Sequence, residues 1–217
     1  MAFLTVKAES VQTEAGSSYA TTSGIYTTTL RACEITSTKN GATQANYFFK
    51  DAMSYGNNII GVNGQPTFGY KIIEALAATL GEDSLSDPEA TSVTFKKGAK
   101  ELSCIPELND VQVKAWIQIG YRMYKGEIRE DVMVKRFYRA TDGAAGSEAL
   151  SGESIGERLA KDTEVASEIK YEDGTTPESV AAWKKSQQTG GGAAAPAAAA
   201  SNPFPGKKAS SGFPSAK

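Results

Sequence analysis

A stretch of thirty residues, Asp110–Arg139, constrains the fold more than any other part of the chain. From Val111 onward its first half alternates between apolar residues at odd positions and mainly polar residues at even positions. This period of two is typical of a half-buried β-strand. A similar alternation starts at Ile128, and a short connection around Tyr124–Gly126 joins the two halves. The pattern therefore predicts an antiparallel β-hairpin.

The alternation also predicts the register of this hairpin, because a shift by one residue would set charged side chains against the apolar row. Matching the apolar rows places Ile117 near Val132 and Ala115 near Val134. A shift by two residues would keep the rows matched, so the register is open to that extent. The outer face then carries two aromatic residues, one Met and five cations: Lys114, Trp116, Arg122, Arg129, Met133, Lys135, Phe137 and Arg139.

Two explanations remain open for aromatic residues on an outer face. In the first, a helix, a second sheet or a subunit contact buries Trp116. In the second, Trp116 and Phe137 stack the bases of a nucleic acid while the neighbouring cations bind phosphates, at about 1–3 kcal/mol per stacked base. The second explanation makes all of these residues except Met133 candidate nucleic-acid contacts.

A second hairpin is predicted earlier in the chain. The β-branched run that begins at Gly24 ends near an Asn40-Gly41 turn, and a return strand over 42–50 follows. In the return strand, alternation directs Tyr47 and Phe49 to one face. It directs Phe48 and Lys50 to the other face, so one of these two sets is a candidate for ligand contact.

The segment between the hairpins predicts a short strand over 57–64 and then a helix. Apolar residues recur at helical spacing between Pro66 and Gly81, which match the preferred boundaries of a helix. Residues 93–100 contain three lysines and read as a loop, either simply solvated or basic in function. About five strands with one inserted helix predict a mainly β, α+β domain, for which a closed five-stranded barrel is the best-fitting architecture.

The composition argues against catalysis. The chain of 217 residues has no histidine, which removes the commonest general base and transition-metal ligand. We find no phosphate-binding loop, nucleophile elbow or paired acidic motif, so we expect no enzyme activity, no catalytic residue, no metal and no cofactor. Two distant cysteines, Cys33 and Cys104, together with the lack of a signal peptide or a long apolar run, favour a cytoplasmic location and no membrane partner.

The charge distribution divides the chain. Residues 1–140 contain fifteen Lys or Arg and fifteen Asp or Glu, whereas residues 141–189 contain five and ten. We therefore predict an N-terminal segment over 1–23, a binding domain over 24–140, and an acidic, partly helical segment over 141–188 that starts with a linker. Tethered in this way, the acidic segment would compete weakly with DNA for the basic face.

The remainder, residues 189–217, is rich in Ala, Gly and Pro and predicts a disordered tail. Phe204 and Phe213 stand beside prolines in this tail, as part of a partner-docking motif or of a mere spacer.

The layout of about residues 20–140 resembles phage-encoded single-stranded DNA-binding proteins of the OB-fold type. The resemblance rests on Gly24–Tyr26 with the Thr38–Gly41 turn, the helix Gly69–Gly81 and the run Ile105–Tyr138. It implies an OB-like barrel that coats melted single strands with little sequence preference, in phage replication, recombination or transcription in the host cytoplasm. It also implies a tail that recruits partners such as a phage polymerase, although the tail here ends basic where such tails are usually acidic.

Two other classes of protein fit the sequence. The Thr-rich strands, the neutral body and the Ala/Gly/Pro tail also suit a virion structural or decoration protein. Alternatively, an outward Trp116 and Phe137 would suit an adaptor that binds another protein, or a homo-oligomer. Salt-dependent binding of oligonucleotides separates the DNA-binding class from the others, because phosphate contacts release counterions.

Overall fold

The computed structural model describes residues 22–50, 54–95, 98–172 and 174–189. These residues form a mainly β structure with four α-helices, which confirms the expected α+β class. The strands are β1 (Gly24–Ser37), β2 (Thr43–Phe49), β3 (Ser54–Ile60), β4 (Glu89–Phe95), β5 (Gly98–Cys104), β6 (Val111–Tyr124), β7 (Glu127–Arg139) and β8 (Lys170–Tyr171). The helices are α1 (Phe68–Leu80), α2 (Gly146–Ser151), α3 (Glu157–Val165) and α4 (Pro177–Thr189). The low-complexity tail and nearly all of the predicted N-terminal segment lie outside the described residues.

The strands pair in one open, largely antiparallel sheet in the order β3-β2-β1-β5-β4, with β6 and β7 branching from β1. Strand β1 has three neighbours: its first half pairs with β6, its second half pairs with β2 after a bulge between Leu30 and Ala32, and its Glu34 pairs with Cys104 of β5. Both predicted hairpins are confirmed. At the edge formed by β3, the side-chain amide of Asn57 donates a hydrogen bond to the Val134 carbonyl at 3.2 Å. This hydrogen bond joins β3 to β7.

The predicted loop over 93–100 is wrong in part, because β4 and β5 form a third hairpin. Residues 93–95 belong to β4 and residues 98–100 belong to β5. The apolar side chains Val93, Phe95, Leu102 and Cys104 of this hairpin pack with Ala32 of β1 and Phe48 of β2. Strand formation here depends on that distant apolar surface, which the local run of lysines does not reveal. Lys96 and Lys97 lie outside the described residues.

Helix α1 begins and ends close to the predicted boundaries. The Thr67 side chain caps the helix by accepting from the Gly69 amide, and Gly81 ends it in the left-handed conformation at φ 80°. Gly69 lies so close to β3 that a Cβ would come within 2.2 Å of the Asn58 carbonyl oxygen. This close approach places Leu76 and its neighbours in the core, against Tyr47, Phe49 and Phe137.

The β6–β7 hairpin turns through Lys125 and Gly126, both with positive φ (52° and 82°), as a two-residue type I′ connection requires. The register differs by two residues from the one predicted, since Ile117 pairs with Val134 and Ile119 with Val132. A bulge between Trp116 and Ile117 leaves Lys135 as an extra residue on β7. Because of this extra residue, each β7 side chain after the bulge points to the face opposite to the one that the alternation predicts.

The C-terminal segment is packed on the domain, so the predicted linker at its start is wrong. Residues 143–146 are buried, and a Cβ at Gly146 would meet Ala75 of α1 at 2.8–2.9 Å. The buried Glu148 carboxylate accepts three backbone amides, from Ala145, Gly156 and Arg158, at 2.7–3.1 Å. Burial raises the pKa of Glu148, but these hydrogen bonds lower it by more, so the pKa lies below its ordinary value.

Candidate nucleic-acid interface

Trp116 is buried, so its predicted place on an exposed face is wrong. The side chain is 9 % exposed and packs with Tyr138, Ala145 and Ala166. Ala145 and Ala166 belong to the C-terminal segment, whose helix α3 covers this end of the outer hairpin face. The first explanation offered for an outward Trp, burial under a helix, is therefore the correct one.

A single carboxylate fixes the cover over Trp116. Asp162 of α3 accepts a hydrogen bond from the Tyr138 hydroxyl at 2.7 Å and pairs with the Arg136 and Arg158 guanidinium groups, both at 3.1 Å. Burial and the hydrogen bond to Asp162 raise the pKa of Tyr138, which keeps the hydroxyl protonated as a donor. Arg136, the hairpin cation beside Trp116, is thus matched by an internal carboxylate and serves the fold.

Phe137 is fully buried, which also contradicts the prediction for it. The bulge at Lys135 reverses the alternation, so Phe137 points into the core instead of sharing the outer face with Lys135. Its ring packs edge-on against Tyr47 at 5.2 Å and tilted against Phe49 at 6.2 Å. A bulge is one extra residue, and nothing in the alternation of β7 marks where it lies.

Phe48 and Lys50 are separated from the hairpin surface. Phe48 is half-buried, with its ring edge-on to Phe95 at 5.3 Å under the β4–β5 hairpin, while Lys50 is exposed. The expected split of faces is confirmed, because Tyr47 and Phe49 fill the core. Phe48 supports the third hairpin and offers little surface to a ligand.

The five predicted hairpin cations have different surroundings. Arg139 pairs with Asp142 at 2.7 Å, which lowers the pKa of Asp142 to about 2, chiefly through their side-chain hydrogen bond. Arg122 pairs with Asp131 at 2.5 Å. The other three hairpin cations have no carboxylate within 4.0 Å among the described residues: Lys114, Arg129 and Lys135. These three side chains remain available to an external anion.

An aromatic residue that the sequence analysis overlooked lies at the tip of the hairpin. The Tyr124 side chain is 39 % exposed, and three cations surround its ring: Arg129 at 4.6 Å, Lys125 at 5.4 Å and Arg122 at 5.8 Å. We call these four residues the tip cluster. The alternation of β6, extended by two residues beyond Arg122, would have placed Tyr124 on the same face as Arg122.

A second exposed aromatic lies near the other end of β7. Phe68, the first residue of α1, is 63 % exposed, and the Lys135 ammonium lies 5.8 Å from its ring centroid. The outward bulge residue Lys135 reaches this ring because α1 packs against β7. The sequence gives no local signal for this pair, since its members are far apart in the chain.

The tip cluster, Lys135 and Phe68 together form what we call the hairpin strip. Arg129, Met133 and Lys135 lie on the same outer face of β7, and six residues of strand span about 20 Å. Glu130 points to the opposite face, where its carboxylate accepts from the Tyr121 hydroxyl at 2.6 Å. The strip therefore offers two exposed rings flanked by cations, which suits stacked bases and phosphates.

The described parts of the chain show neither a metal-ligand cluster nor a membrane-spanning helix. In 22–50, 54–95, 98–172 and 174–189 no group of three or more His, Cys, Asp or Glu side chains could hold a metal ion. No helix in these ranges has the length and apolar character needed to cross a membrane. Neither models of protein families nor curated proteins give a match to this chain.

Proposed function

We propose that this protein binds single-stranded DNA with little sequence preference, through the hairpin strip. One observation carries the proposal: two exposed rings, Tyr124 and Phe68, each lie within 6 Å of a hairpin cation that has no carboxylate partner among the described residues. Stacking accepts any base because every base has a π-face, and cations follow the backbone. The predicted chemistry is retained, with Tyr124 and Phe68 in the roles first given to Trp116 and Phe137.

The strand pairing supports an OB-like barrel as the finer description of the fold. Going round through β3, β2, β1, β6 and β7, each strand pairs with the next. The Asn57–Val134 hydrogen bond then supports closure between β7 and β3. Helix α1 follows β3, which is the third strand of the circuit in chain order, and the β4–β5 hairpin is an addition to the circuit.

The phage setting of the proposal rests on the resemblance described above. A protein of that type coats melted strands during phage replication, recombination or transcription and recruits partner enzymes through its C-terminal tail. Equal affinity for single-stranded and duplex DNA would argue against this role, because stacking requires unpaired bases.

The test is a titration of fluorescently labelled oligo-dT, followed by anisotropy, with an unlabelled duplex of the same length as competitor. We expect saturable binding at low salt, weak competition by the duplex, and affinity that falls as salt rises. Absence of saturable binding at low salt would favour the virion protein or the adaptor instead.

Charge-removing substitutions locate the phosphate contacts. Arg129→Gln and Lys135→Gln should each reduce the slope of log affinity against log salt by roughly 0.7, the value for one phosphate contact on a single strand. Lys100→Gln is the matched control, since Lys100 also lies near an aromatic ring, Phe95 at 5.9 Å, but on the β4–β5 hairpin. A control that lowers the slope as much as Arg129→Gln would move the interface away from the strip.

A further inference from the structure

A groove opens between the tip of the β6–β7 hairpin and helix α4, on the face opposite Tyr124. Its volume is about 520 Å³. This lies within the range of about 300–1,000 Å³ that is usual for small-molecule sites. Its lining residues are Met123, Gly126, Glu127, Ile128, Trp183 and Gln187.

Helix α4 holds Trp183 in place at this groove. Val180 and Trp183 pack on Ile119 and Tyr121, and the Trp183 ring meets Tyr121 edge-on at 6.2 Å. Lys184 lies 5.0 Å from the Tyr121 ring centroid and 4.0 Å from the Glu130 carboxylate. The indole is thus anchored on one side and partly exposed on the other.

The hairpin turn keeps the groove open. Gly126 has a φ of 82°, which the turn requires, and open space surrounds the position that a Cβ would occupy. A side chain at this position would project into that space. The turn that presents the tip cluster on one face therefore also leaves room for a ligand on the other.

The lining suits a flat heteroaromatic ligand with polar edges. Met123, Ile128 and Trp183 supply apolar and aromatic surface, whereas Glu127 can accept hydrogen bonds and Gln187 can both donate and accept them. A nucleobase has this chemistry. Lys125 of the tip cluster lies in the turn next to Gly126, where it can contact a phosphate that adjoins such a base.

We propose that this groove binds one unpaired base of single-stranded DNA, with Trp183 as its stacking partner. The inference rests on the proposed function and adds a second base site, on the other face of the hairpin tip from Tyr124. A strand that passes over the turn would then contact Tyr124 on one face and Trp183 on the other.

The two tryptophans of the chain allow a direct test. Trp116 lies under α3, so its emission should change little when oligo-dT is added, whereas Trp183 should be quenched on stacking. We expect Trp116→Phe to keep the quenching and Trp183→Phe to lose it. Should Trp116→Phe fail to fold, the difference between the wild-type protein and Trp183→Phe gives the same answer.

Affinity provides an independent readout. Trp183→Leu keeps apolar bulk against Tyr121 but removes the stacking face, so oligo-dT should bind about 5- to 150-fold more weakly, the change that corresponds to about 1–3 kcal/mol of stacking. Val180→Ala is the matched control, because it weakens the packing of the same helix and leaves the indole in place. A larger loss for Val180→Ala than for Trp183→Leu would overturn the base site.

The outcomes separate this inference from the proposed function. Oligo-dT that binds by anisotropy with no change in Trp183 emission would overturn the groove site and leave the hairpin strip standing. Absence of both signals would overturn both proposals. A peptide of residues 198–217 that quenches Trp183 at lower concentration than oligo-dT would assign the groove to the C-terminal tail and likewise overturn the base site.

Discussion

The two ends of the β6–β7 hairpin carry the same kind of side chains and use them differently. At one end Trp116 and Tyr138 lie beside Arg136, and at the tip Tyr124 lies beside Arg122 and Arg129. Helix α3 covers the first group and supplies Asp162 as a carboxylate for its cations, whereas Tyr124 remains 39 % exposed. An aromatic–cation pattern thus contributes to stability where a distant segment covers the ring and supplies a carboxylate, and it stays exposed at the tip, where the Arg129 guanidinium has no carboxylate partner among the described residues.

The largest expected effect comes from removing the cover. Deleting residues 142–217 would expose Trp116, Tyr138, Ile119 and Tyr121, at about 1.5–3 kcal/mol for each large side chain. That loss approaches the whole stability of a typical domain, about 5–15 kcal/mol. We expect circular dichroism to show no cooperative thermal unfolding. The sequence alone predicted instead that this segment is a tethered competitor of DNA, whose deletion would raise the affinity for DNA at low salt.

The control for this deletion ends the chain after Thr189 and keeps every contact described above. We expect it to melt like the full chain. A 142–217 deletion that folds and melts normally would show that the C-terminal helices do not stabilise the hairpin, and the contrast between its two ends would then have another cause.

Single substitutions at the buried end should give the next largest effect. Phe137→Ala and Trp116→Ala should each lower the free energy of unfolding by about 3–5 kcal/mol, as large-to-small core changes do. Phe68→Ala is the matched control, because Phe68 is 63 % exposed and should change stability by less than about 0.5 kcal/mol. Urea denaturation gives these values, and equal losses for Phe137→Ala and Phe68→Ala would contradict the reversal of facing by the bulge.

A smaller change in stability should follow acidification. The pKa of Glu148 is lowered in the folded protein, so its contribution is complete above the unfolded-state pKa of about 4.3 and is lost as pH falls through the folded-state pKa. Glu148→Gln should therefore be less stable at neutral pH and should show a flatter loss of stability below about pH 4. Parallel acid profiles for the variant and the wild type, measured by urea denaturation, would place the acid-sensitive group elsewhere.

Local patterns predicted the elements of the fold well. The Asn40-Gly41 turn, helix α1 and the alternation of β6 each depend on neighbouring residues, and the structure agrees with all three. The β7 bulge and the third hairpin depend on non-local packing, which alternation alone does not contain.

The proposed site keeps the kinds of residue named from the sequence but not the positions of its aromatic residues. Arg129 and Lys135 have the exposed aromatic neighbours that the sequence suggested, but these are Tyr124 and Phe68. Trp116 was predicted to be exposed because the residues that bury it belong to a region whose sequence suggests a linker and a tethered segment. Phe137 was predicted on the wrong face because the extra residue in β7 turns its side chain into the core.

The most direct test of the central claim compares two tyrosines of similar exposure. Tyr124 is 39 % exposed and surrounded by cations, whereas Tyr70 is 36 % exposed on α1 and no cation near its ring is observed among the described residues. In oligo-dT titrations followed by anisotropy, Tyr124→Ala should bind more weakly by about 1–3 kcal/mol, and Tyr70→Ala should bind like the wild type. Both variants should keep the wild-type melting temperature. Unchanged affinity for Tyr124→Ala, or an equal loss for Tyr70→Ala, would contradict the assignment of single-strand binding to the hairpin tip.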